Sequence, residues 1–251
     1  MSLIPLGAAV QTAGLGHPRG GQGWKDRYGD EEISQFRGAD LIARKWNLSR
    51  AQLEDYALAS HQRASAAWAE GMFDAETAAV DGLTRDEGPR PDASLAAMAR
   101  LSPLREGGLI TAAHASQISD GAAALLVASA RAVQRHGLVP LARVHTMMVE
   151  GSDPIMMLTG PIPATARLLE RSGVALGEIG VFEVNEAFAP VVLAWLAETG
   201  ADPARTNPLG ATGARLMTTM VHQLRRTGAR YGLQTMCEGG GMANATLLER
   251  A

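Results

Sequence analysis

The sequence predicts an α/β layered fold for its second half, preceded by a helical, loop-rich segment. After about residue 108, short apolar stretches of strand character alternate with helical stretches. Such an alternation is typical of helices packed on a sheet. Before that point, apolar residues recur at helical spacing, and stretches rich in glycine, proline and charge separate them.

The first hundred residues are expected to contain two long helices between irregular segments. Residues 1–30 are rich in glycine and are predicted to be irregular. Apolar residues near a 3.6 period predict a helix within residues 31–46. A second helix follows, for which Ser49 is the expected N-cap and Gly71 fits the C-terminal end. Residues 81–95 are predicted to form a loop.

The second half reads as strands and helices in turn. LITAAHASQISDG begins like a strand and ends in a polar turn, and the apolar run AAALLVAS (122–129) suits a strand buried on both faces. The next predicted helices are ARAVQRHG, GPIPATARLLERSG, APVVLAWLAETG and ATGARLMTTMVHQLRRTG. The next predicted strands are LARVHTMMVEG, IGVFEVNEAF, YGLQTMCEGGG and ANATLLER.

Composition and charge exclude several classes of function. The chain is 46% hydrophobic and 20% charged with a net charge of −3, and its basic residues are scattered, which argues against nucleic-acid binding. No apolar stretch approaches the roughly 18 residues that cross a bilayer. The N-terminus lacks the basic region of a signal peptide. One cysteine excludes an intrachain disulfide and a cysteine-cluster metal site, so we expect a cytoplasmic protein without a metal.

Three polar or glycine-rich stretches punctuate strand ends, where α/β folds hold ligands. They are residues 114–121, 183–190 and 236–242. The last of them contains Cys237, the only cysteine, which Glu238 separates from glycines 239–241.

Cys237 has a structural and a chemical interpretation. By composition alone it fits a buried cysteine that packs as a small apolar residue. The glycines favour a chemical role, because glycine permits positive φ and lets backbone N–H groups approach a ligand. A thiol beside such donors suits acyl chemistry, in which the donors stabilise an oxyanion while the thiol moves a proton or attacks.

Other polar residues at the strand ends also have two interpretations. Asn185 and Glu186 fit a side-chain-capped turn, or an amide that positions water or a carbonyl. Ser116 and Asp120 fit ordinary turn chemistry. His114 lies in the same turn, and no histidines in the sequence have a metal-binding spacing.

VNEAFAP, NPLGATGARL and CEGGGMANATLLER resemble the thiolases, the family of acetyl-CoA acetyltransferases and 3-ketoacyl-CoA thiolases. EISQFRGADLIARKW, SRAQLEDYALASHQRA, SQISDGAAALLVAS and GSDPIMMLTGPIPAT match as well. The likeness runs nearly end to end and leans toward bacterial thiolases of fatty-acid or steroid side-chain breakdown. It implies a thiolase-like fold with a C-terminal βαβαβαββ layered half and a helical loop domain, the N-terminal half being largely missing.

The resemblance implies three regions and a set of partners. Residues 1–107 would hold the irregular segment and the loop domain, which covers CoA in this family. Residues 108–140 would be a remnant of the N-terminal α/β domain, and residues 141–251 the C-terminal α/β domain. Acyl-CoA and CoA are the implied substrates, with no further cofactor. A homo-oligomer is implied because thiolases are dimers or tetramers.

The implied activity is thiolytic cleavage of 3-ketoacyl-CoA or condensation of acetyl-CoA. In the family a first cysteine takes the acyl group, and a second acts as acid and base. Cys237 matches the second cysteine, and Gly239 would offer a backbone N–H to one oxyanion hole. Asn185 matches the asparagine that holds a catalytic water at the other, and Ser116 matches a serine that touches the pantetheine arm of CoA.

The sequence departs from the family pattern in three places. The nucleophilic cysteine, which lies in the N-terminal half of the family, has no counterpart here. Asn207-Pro208 stands where a Gly-His-Pro motif normally ends, so the histidine that pairs with the asparagine's water is absent. Ala113-His114 replaces the usual Gly-Asn. Gly16-His17-Pro18 has the wrong flanks and fits a chance match in a loop.

Three accounts of these departures stay open. The chain is the C-terminal part of an ordinary thiolase, one component of a split thiolase whose partner chain supplies the nucleophile, or a non-catalytic CoA-binding or scaffolding relative. Losing a nucleophile abolishes most catalysis, so we expect no turnover from this chain alone. The missing half would also leave an apolar sheet face and strand edges exposed, which a partner surface would have to cover.

Overall fold

The computed structural model of the chain describes Gly14 and residues 19–117, 121–210 and 215–251. Within these ranges a single four-stranded sheet and eight α-helices form. Two sequence expectations, the turn role of Asp120 and the chance match at Gly16-His17-Pro18, lie outside the described residues.

The first half is helical, as expected, and begins with a helix that was not predicted. Helix α1 (Gln22–Tyr28) forms within the segment 1–30, so the prediction of irregular structure is wrong there. Trp24 and Tyr28 lie one helical turn apart with ring centroids separated by 4.5 Å. Contacts at this spacing stabilise a helix, and they offset the cost of Gly23 within it.

The two predicted long helices are α2 (Gln35–Lys45) and α3 (Arg50–Ala69). Ser49 caps α3 as expected: its hydroxyl accepts from the backbone N–H of Gln52 at 3.3 Å, and its own N–H donates to the Gln52 side chain at 2.8 Å. Gly71 follows the end of α3 with φ of 68°, the left-handed conformation that glycine adopts readily. The predicted loop over 81–95 ends in the one-turn helix α4 (Leu95–Met98).

The predicted strand over residues 122–129 does not form. Residues 121–129 lack regular structure and are exposed, with Leu126 and Val127 each 82% exposed. A strand needs a neighbouring strand to satisfy its backbone, and none of the described residues pairs with this run. The strand-like start after residue 108 is likewise a short 3-10 helix, Ala112–His114. The expected βαβαβαββ order therefore loses its first strand.

The rest of the second half follows the predicted alternation. Its helices are α5 (Ala130–His136), α6 (Pro161–Ser172), α7 (Ala189–Thr199) and α8 (Leu216–Thr227). Its strands are β1 (Ala142–Gly151), β2 (Ile179–Val184), β3 (Tyr231–Glu238) and β4 (Met242–Arg250). The strand order is β1-β4-β3-β2, with β2 parallel to β3 and the other pairs antiparallel.

Helices cover both faces of the sheet, which agrees with the layered α/β arrangement predicted for this half. Alternation along β2 divides its side chains: Phe182 faces α6 and α7, and Val181 faces α8. Trp195 of α7 is fully buried on the first face, and its indole N–H donates to Thr165 at 2.9 Å. This alternation fixes which side chains of β2 and β3 reach the same side of the sheet.

The edge strand β1 is the least covered part of the sheet. Val144, Met147 and Val149 are exposed, Met147 to 64%. This agrees with the expectation that part of the apolar sheet surface lacks a cover. Among the helices of the described ranges, none has the length and apolar character to cross a membrane.

Candidate active site

The three strand-end stretches singled out in the sequence lie side by side. The backbone N–H of Ser116 donates to the carbonyl of Ala187 at 3.0 Å, which joins the first stretch to the second. The backbone N–H of Asn185 donates to the carbonyl of Thr235 at 3.0 Å, two residues before Cys237. Because β2 and β3 are parallel, their carboxyl ends meet at one edge of the sheet, where α/β folds hold ligands.

Cys237 lies near the end of β3 with its side chain 8% exposed. Burial raises the pKa of its thiol to about 11, because the thiolate is poorly solvated there. The side chain of Asn185 acts against this rise in pKa, whereas the neighbouring Glu238 adds to it. The thiol is therefore protonated at neutral pH.

The glycines after Cys237 form a tight hairpin between β3 and β4. Glu238 pairs with Met242, so residues 239–241 make the turn. Gly241 has φ of 82°, and its carbonyl accepts from the backbone N–H of Ser152 at 2.7 Å. A Cβ at Gly241 would lie 2.8 Å from the carbonyl oxygen of Ser152, so only glycine fits. Gly239 is exposed at the start of the turn, two residues after Cys237, which pairs with Ala243 of β4.

Glu186 follows Asn185 and holds the strongest side-chain network of the region. Its carboxylate accepts hydrogen bonds from the hydroxyl of Tyr56 at 2.6 Å and from that of Ser60 at 2.6 Å. The amide of Asn207 donates to it at 2.9 Å. Burial raises the pKa of Glu186, and these three donors act in the opposite direction.

The side chain of Asn207 bonds to backbone groups at the outer edge of β2. Its side-chain oxygen accepts from the N–H of Val184 at 2.8 Å, and its amide donates to the carbonyl of the same residue at 2.8 Å. It is fully buried with φ of 48°, a conformation that asparagine adopts more readily than most residues. Sequence reasoning noticed Asn207 only as the place where the Gly-His-Pro motif is absent.

Ser116 lines a cleft between α3 and the start of α7. Tyr56, Ser60 and Glu186 line it too, whereas Cys237 and Asn185 are not among the described residues that form its wall. Tyr56 and Ser60 lie one turn apart on α3, a helix that the sequence predicts. That spacing is the signal in the sequence that both could reach one partner.

His114 is a buried histidine rather than a free acid or base. Its Nδ1 accepts the backbone N–H of Thr111 at 3.2 Å, and burial lowers its pKa to about 4. The ring is therefore neutral at physiological pH, with the proton on Nε2, which finds no hydrogen-bond partner among the described residues. Its placement supports a structural role in the turn that carries Ser116.

Glu183 is a second buried carboxyl group, three residues before Glu186. It is 0% exposed, and neither of its carboxyl oxygens has a hydrogen-bond partner in the part of the chain that the structure describes. Burial raises its pKa well above the usual value, and the nearby Glu186 acts in the same direction. Within the described ranges no cluster of histidine, cysteine and acidic side chains is arranged to hold a metal ion.

Comparison with known families gives two matches that together cover most of the chain. The family described as "Thiolase, N-terminal domain" matches residues 31–131, and the family described as "Thiolase, C-terminal domain" matches residues 138–250.

The chain is also similar to named proteins and to solved structures. It is 55% identical to a steroid 3-ketoacyl-CoA thiolase of Mycobacterium tuberculosis over 268 residues, covering 100% of this chain and 66% of the relative. It is 43% identical to a beta-ketoadipyl-CoA thiolase of Pseudomonas aeruginosa, covering 90% of this chain and 61% of the relative. The crystal structure of human mitochondrial 3-ketoacyl-CoA thiolase in complex with CoA matches with a TM-score of 0.82 and 37% identity, over 86% of this chain and 58% of that one. The chain thus spans less than two thirds of the length of these relatives.

Proposed function

The chain belongs to the thiolase family, and we propose that the whole protein is an acyl-CoA C-acyltransferase that cleaves 3-ketoacyl-CoA with CoA or condenses acetyl-CoA. The observation that carries the proposal is the position of Asn185 beside the strand that holds Cys237: its backbone N–H donates to the carbonyl of Thr235 at 3.0 Å, two residues before Cys237. A protonated thiol, an amide and a glycine turn at one edge of the sheet support the proposal, because acyl transfer needs such a set.

In this proposal Cys237 is the acid and base. Its S–H bond breaks to give a proton to the carbanion that leaves when a 3-ketoacyl-CoA is cleaved, and the thiolate then takes the proton of the incoming CoA thiol. A thiol with a pKa of about 11 keeps its proton at neutral pH but gives it readily to a far stronger base such as a carbanion. Gly239 is proposed to offer its backbone N–H to the thioester oxygen, and Asn185 to hold a water at the second oxyanion site.

The nucleophile is proposed to come from residues outside these 251. Cys237 is the only cysteine of the sequence, and it cannot be acyl acceptor and proton donor in the same step. A longer form of this chain or a partner chain would supply the second thiol. The same proposal includes a homo-oligomer in the cytoplasm, with Ser116 in contact with the pantetheine arm of CoA.

A second candidate is a CoA-binding relative without catalytic activity. Two observations favour it: the sequence has one cysteine, and Asn207 rather than a Gly-His-Pro motif lies in the segment after α7. In this case the fold would retain the CoA cleft while the chemistry would be lost.

Intact mass and turnover separate these candidates. The protein purified from its native source is weighed, and thiolysis of acetoacetyl-CoA is measured for it and for the 251-residue chain, with CoA binding followed by calorimetry. We expect a mass above 26.4 kDa or a co-purifying cysteine-bearing chain, together with thiolysis. A homogeneous 26.4 kDa protein that binds CoA but catalyses nothing would leave the second candidate.

In the active form, Cys237→Ser removes the acid and base while keeping the side-chain volume nearly unchanged. We expect thiolysis to fall by about 10² or more, the scale of general acid–base catalysis, with CoA affinity nearly unchanged. Turnover close to that of the unmodified protein would remove Cys237 from the mechanism.

A further inference from the structure

The two outer edges of the sheet differ in whether their backbone groups are occupied. At the β2 edge, the backbone N–H of Asn207 donates to the carbonyl of Phe182 at 2.8 Å. The side chain of Asn207 exchanges two hydrogen bonds of 2.8 Å with the backbone of Val184. At the β1 edge, no strand of the described residues pairs with the outer side. The β1 edge is therefore the one at which a further strand can add to the sheet.

The exposed apolar side chains of β1 all point to the α8 side of the sheet. Val144 pairs with Leu248 of β4, and Leu248 packs with residues of α8. Met147 and Val149 pair with the residues two and four positions before Leu248, and side chains two positions apart share a face. His145 makes this possible, because it is an extra residue where the register of β1 with β4 shifts. The three side chains therefore form one exposed row.

Counted by their partners on β4, the residues of β1 are arranged symmetrically about Met147. Val144 and Val149 each lie two ladder positions from Met147, and Arg143 and Glu150 each lie three. An antiparallel copy of β1 centred on Met147 would thus place valine opposite valine and arginine opposite glutamate. Apolar pairs and opposite-charge pairs directly across two strands stabilise a sheet, whereas like charges destabilise it. A parallel copy in register would instead place Arg143 opposite Arg143.

The charged groups at the two ends of β1 are compatible with this pairing. Arg143 contacts Glu249 of β4, and the side chain of Arg143 is 68% exposed. Glu150 pairs with Arg167 of α6 at 2.9 Å. In the antiparallel pair, Arg143 of one copy would become the second cation beside Glu150 of the other. Glu249 already has such an arrangement, because it pairs with both Arg143 and Arg230.

We propose that a second copy of this chain binds the β1 edge, as an antiparallel pair of β1 strands with Met147 at the two-fold axis. The result is one continuous sheet with four strands from each copy. Such an interface is isologous, since the same residues of both copies contact each other, and it satisfies the open backbone edge of both. The inference rests on the homo-oligomer of the proposed function and names its surface. Its test measures association alone, so its failure would leave the proposed acyl transfer untouched.

Disulfide cross-linking of the 251-residue chain tests the register. Paired residues of an antiparallel ladder have Cβ atoms about 4.5–5.5 Å apart, close to the span of a disulfide. Met147→Cys places two thiols at the proposed axis, and the variant is treated with oxidised glutathione and analysed on a non-reducing gel. Met242→Cys is the matched control, because Met242 is also exposed but lies on β4, four ladder positions from Met147. The unmodified chain, whose one cysteine is buried, is the second control.

Sedimentation equilibrium tests the association itself, over about a hundredfold range of protein concentration. Met147→Lys and Val149→Lys each put a charge into the exposed row, and each change occurs twice in a two-fold interface. Val139→Lys is the matched control, because Val139 is 81% exposed but lies outside β1. Circular dichroism shows whether the lysine variants fold, and the cross-link decides where they do not.

We expect the unmodified chain to dimerise, and Met147→Lys and Val149→Lys to weaken the dimer about tenfold or more, whereas Val139→Lys leaves it unchanged. We expect a disulfide-linked dimer from Met147→Cys and none from Met242→Cys. A monomer at every concentration would overturn the proposal and leave the β1 edge to a different protein. A dimer that both lysine variants leave intact, or that Met147→Cys does not cross-link, would overturn it as well, because association would then use another surface or register.

Discussion

The backbone N–H of Asn185, directly after β2, donates to the carbonyl of Thr235 of β3 at 3.0 Å, and Cys237 lies two residues further along that strand. This hydrogen bond joins the loop after β2 to β3, so the stretches that contain Asn185 and Cys237 lie at one edge of the sheet.

Replacing Asn185 by Ala should therefore alter both the thiol and the chemistry. Loss of the donor leaves burial unopposed by the amide, so the pKa of Cys237 should rise above its value of about 11. In the active form of the protein, kcat should fall by about 10²–10³, the scale for losing one oxyanion donor. A change in KM with unaltered kcat would contradict the role of Asn185 in the chemical step.

Replacement by alanine should lower the stability by different amounts at two neighbouring glycines of the hairpin. Gly240 and Gly241 have φ of 85° and 82°, so alanine is strained at both. Only at Gly241 does a Cβ also meet the backbone of Ser152 and Pro154, at 2.8 and 3.0 Å. We expect Gly240→Ala to cost about 1 kcal/mol and Gly241→Ala about 2–4 kcal/mol in urea unfolding. Equal losses of unfolding free energy would show that the close approach of Gly241 to Ser152 and Pro154 does not affect stability.

His114 should make the fold sensitive to mild acid. Its folded pKa of about 4 lies below the unfolded value of 6.5, so the unfolded state binds the proton first. The contribution is fully present above pH 6.5 and is lost as the pH falls toward 4, by about 1–2 kcal/mol after allowance for solvent screening. His114→Asn cannot titrate, and its unfolding free energy should lack this component. Parallel pH profiles for both proteins would contradict the assignment.

Glu183 should have the opposite pH dependence. Its folded pKa is raised, so above the unfolded value of 4.5 the unfolded state releases a proton that the folded state keeps. Stability from this source falls as the pH rises, by up to about 1.4 kcal/mol per pH unit within the window. Glu183→Gln should therefore gain stability relative to the unmodified chain between pH 5 and 8 in thermal unfolding. A relative loss that grows with pH would mean that the carboxylate is ionised and paired.

The helices and strands of this fold were largely predictable because each leaves a local pattern. Ser49 as N-cap predicts the start of α3, and short apolar stretches of strand character predict β2 and β4. The strand predicted over residues 122–129 does not form. An apolar pattern predicts burial, but it does not identify the neighbouring strand that would bury the run. Leu126 and Val127 look like core residues in the sequence and are exposed in the structure.

The site was predictable only where a motif carries it. Cys237 and Asn185 were found through glycine and asparagine stretches after strands, and the structure places them at the adjoining carboxyl ends of β3 and β2. The hydrogen bonds that Glu186 accepts from Ser60 and Tyr56 could not be found in the same way, because these donors lie 126 and 130 residues away in the sequence. Hydrogen bonds between distant segments leave no local periodicity, so only the fold reveals them.

The bare edge strand β1 has a practical consequence for anyone who selects improved versions of this chain. Val144, Met147 and Val149 are exposed on a strand whose outer edge has no partner among the described residues, an arrangement that promotes edge-to-edge association. Laboratory evolution for soluble yield should therefore accumulate lysine and glutamate at these positions before any gain appears near Cys237. Yield and chemistry would then improve through separate sets of residues.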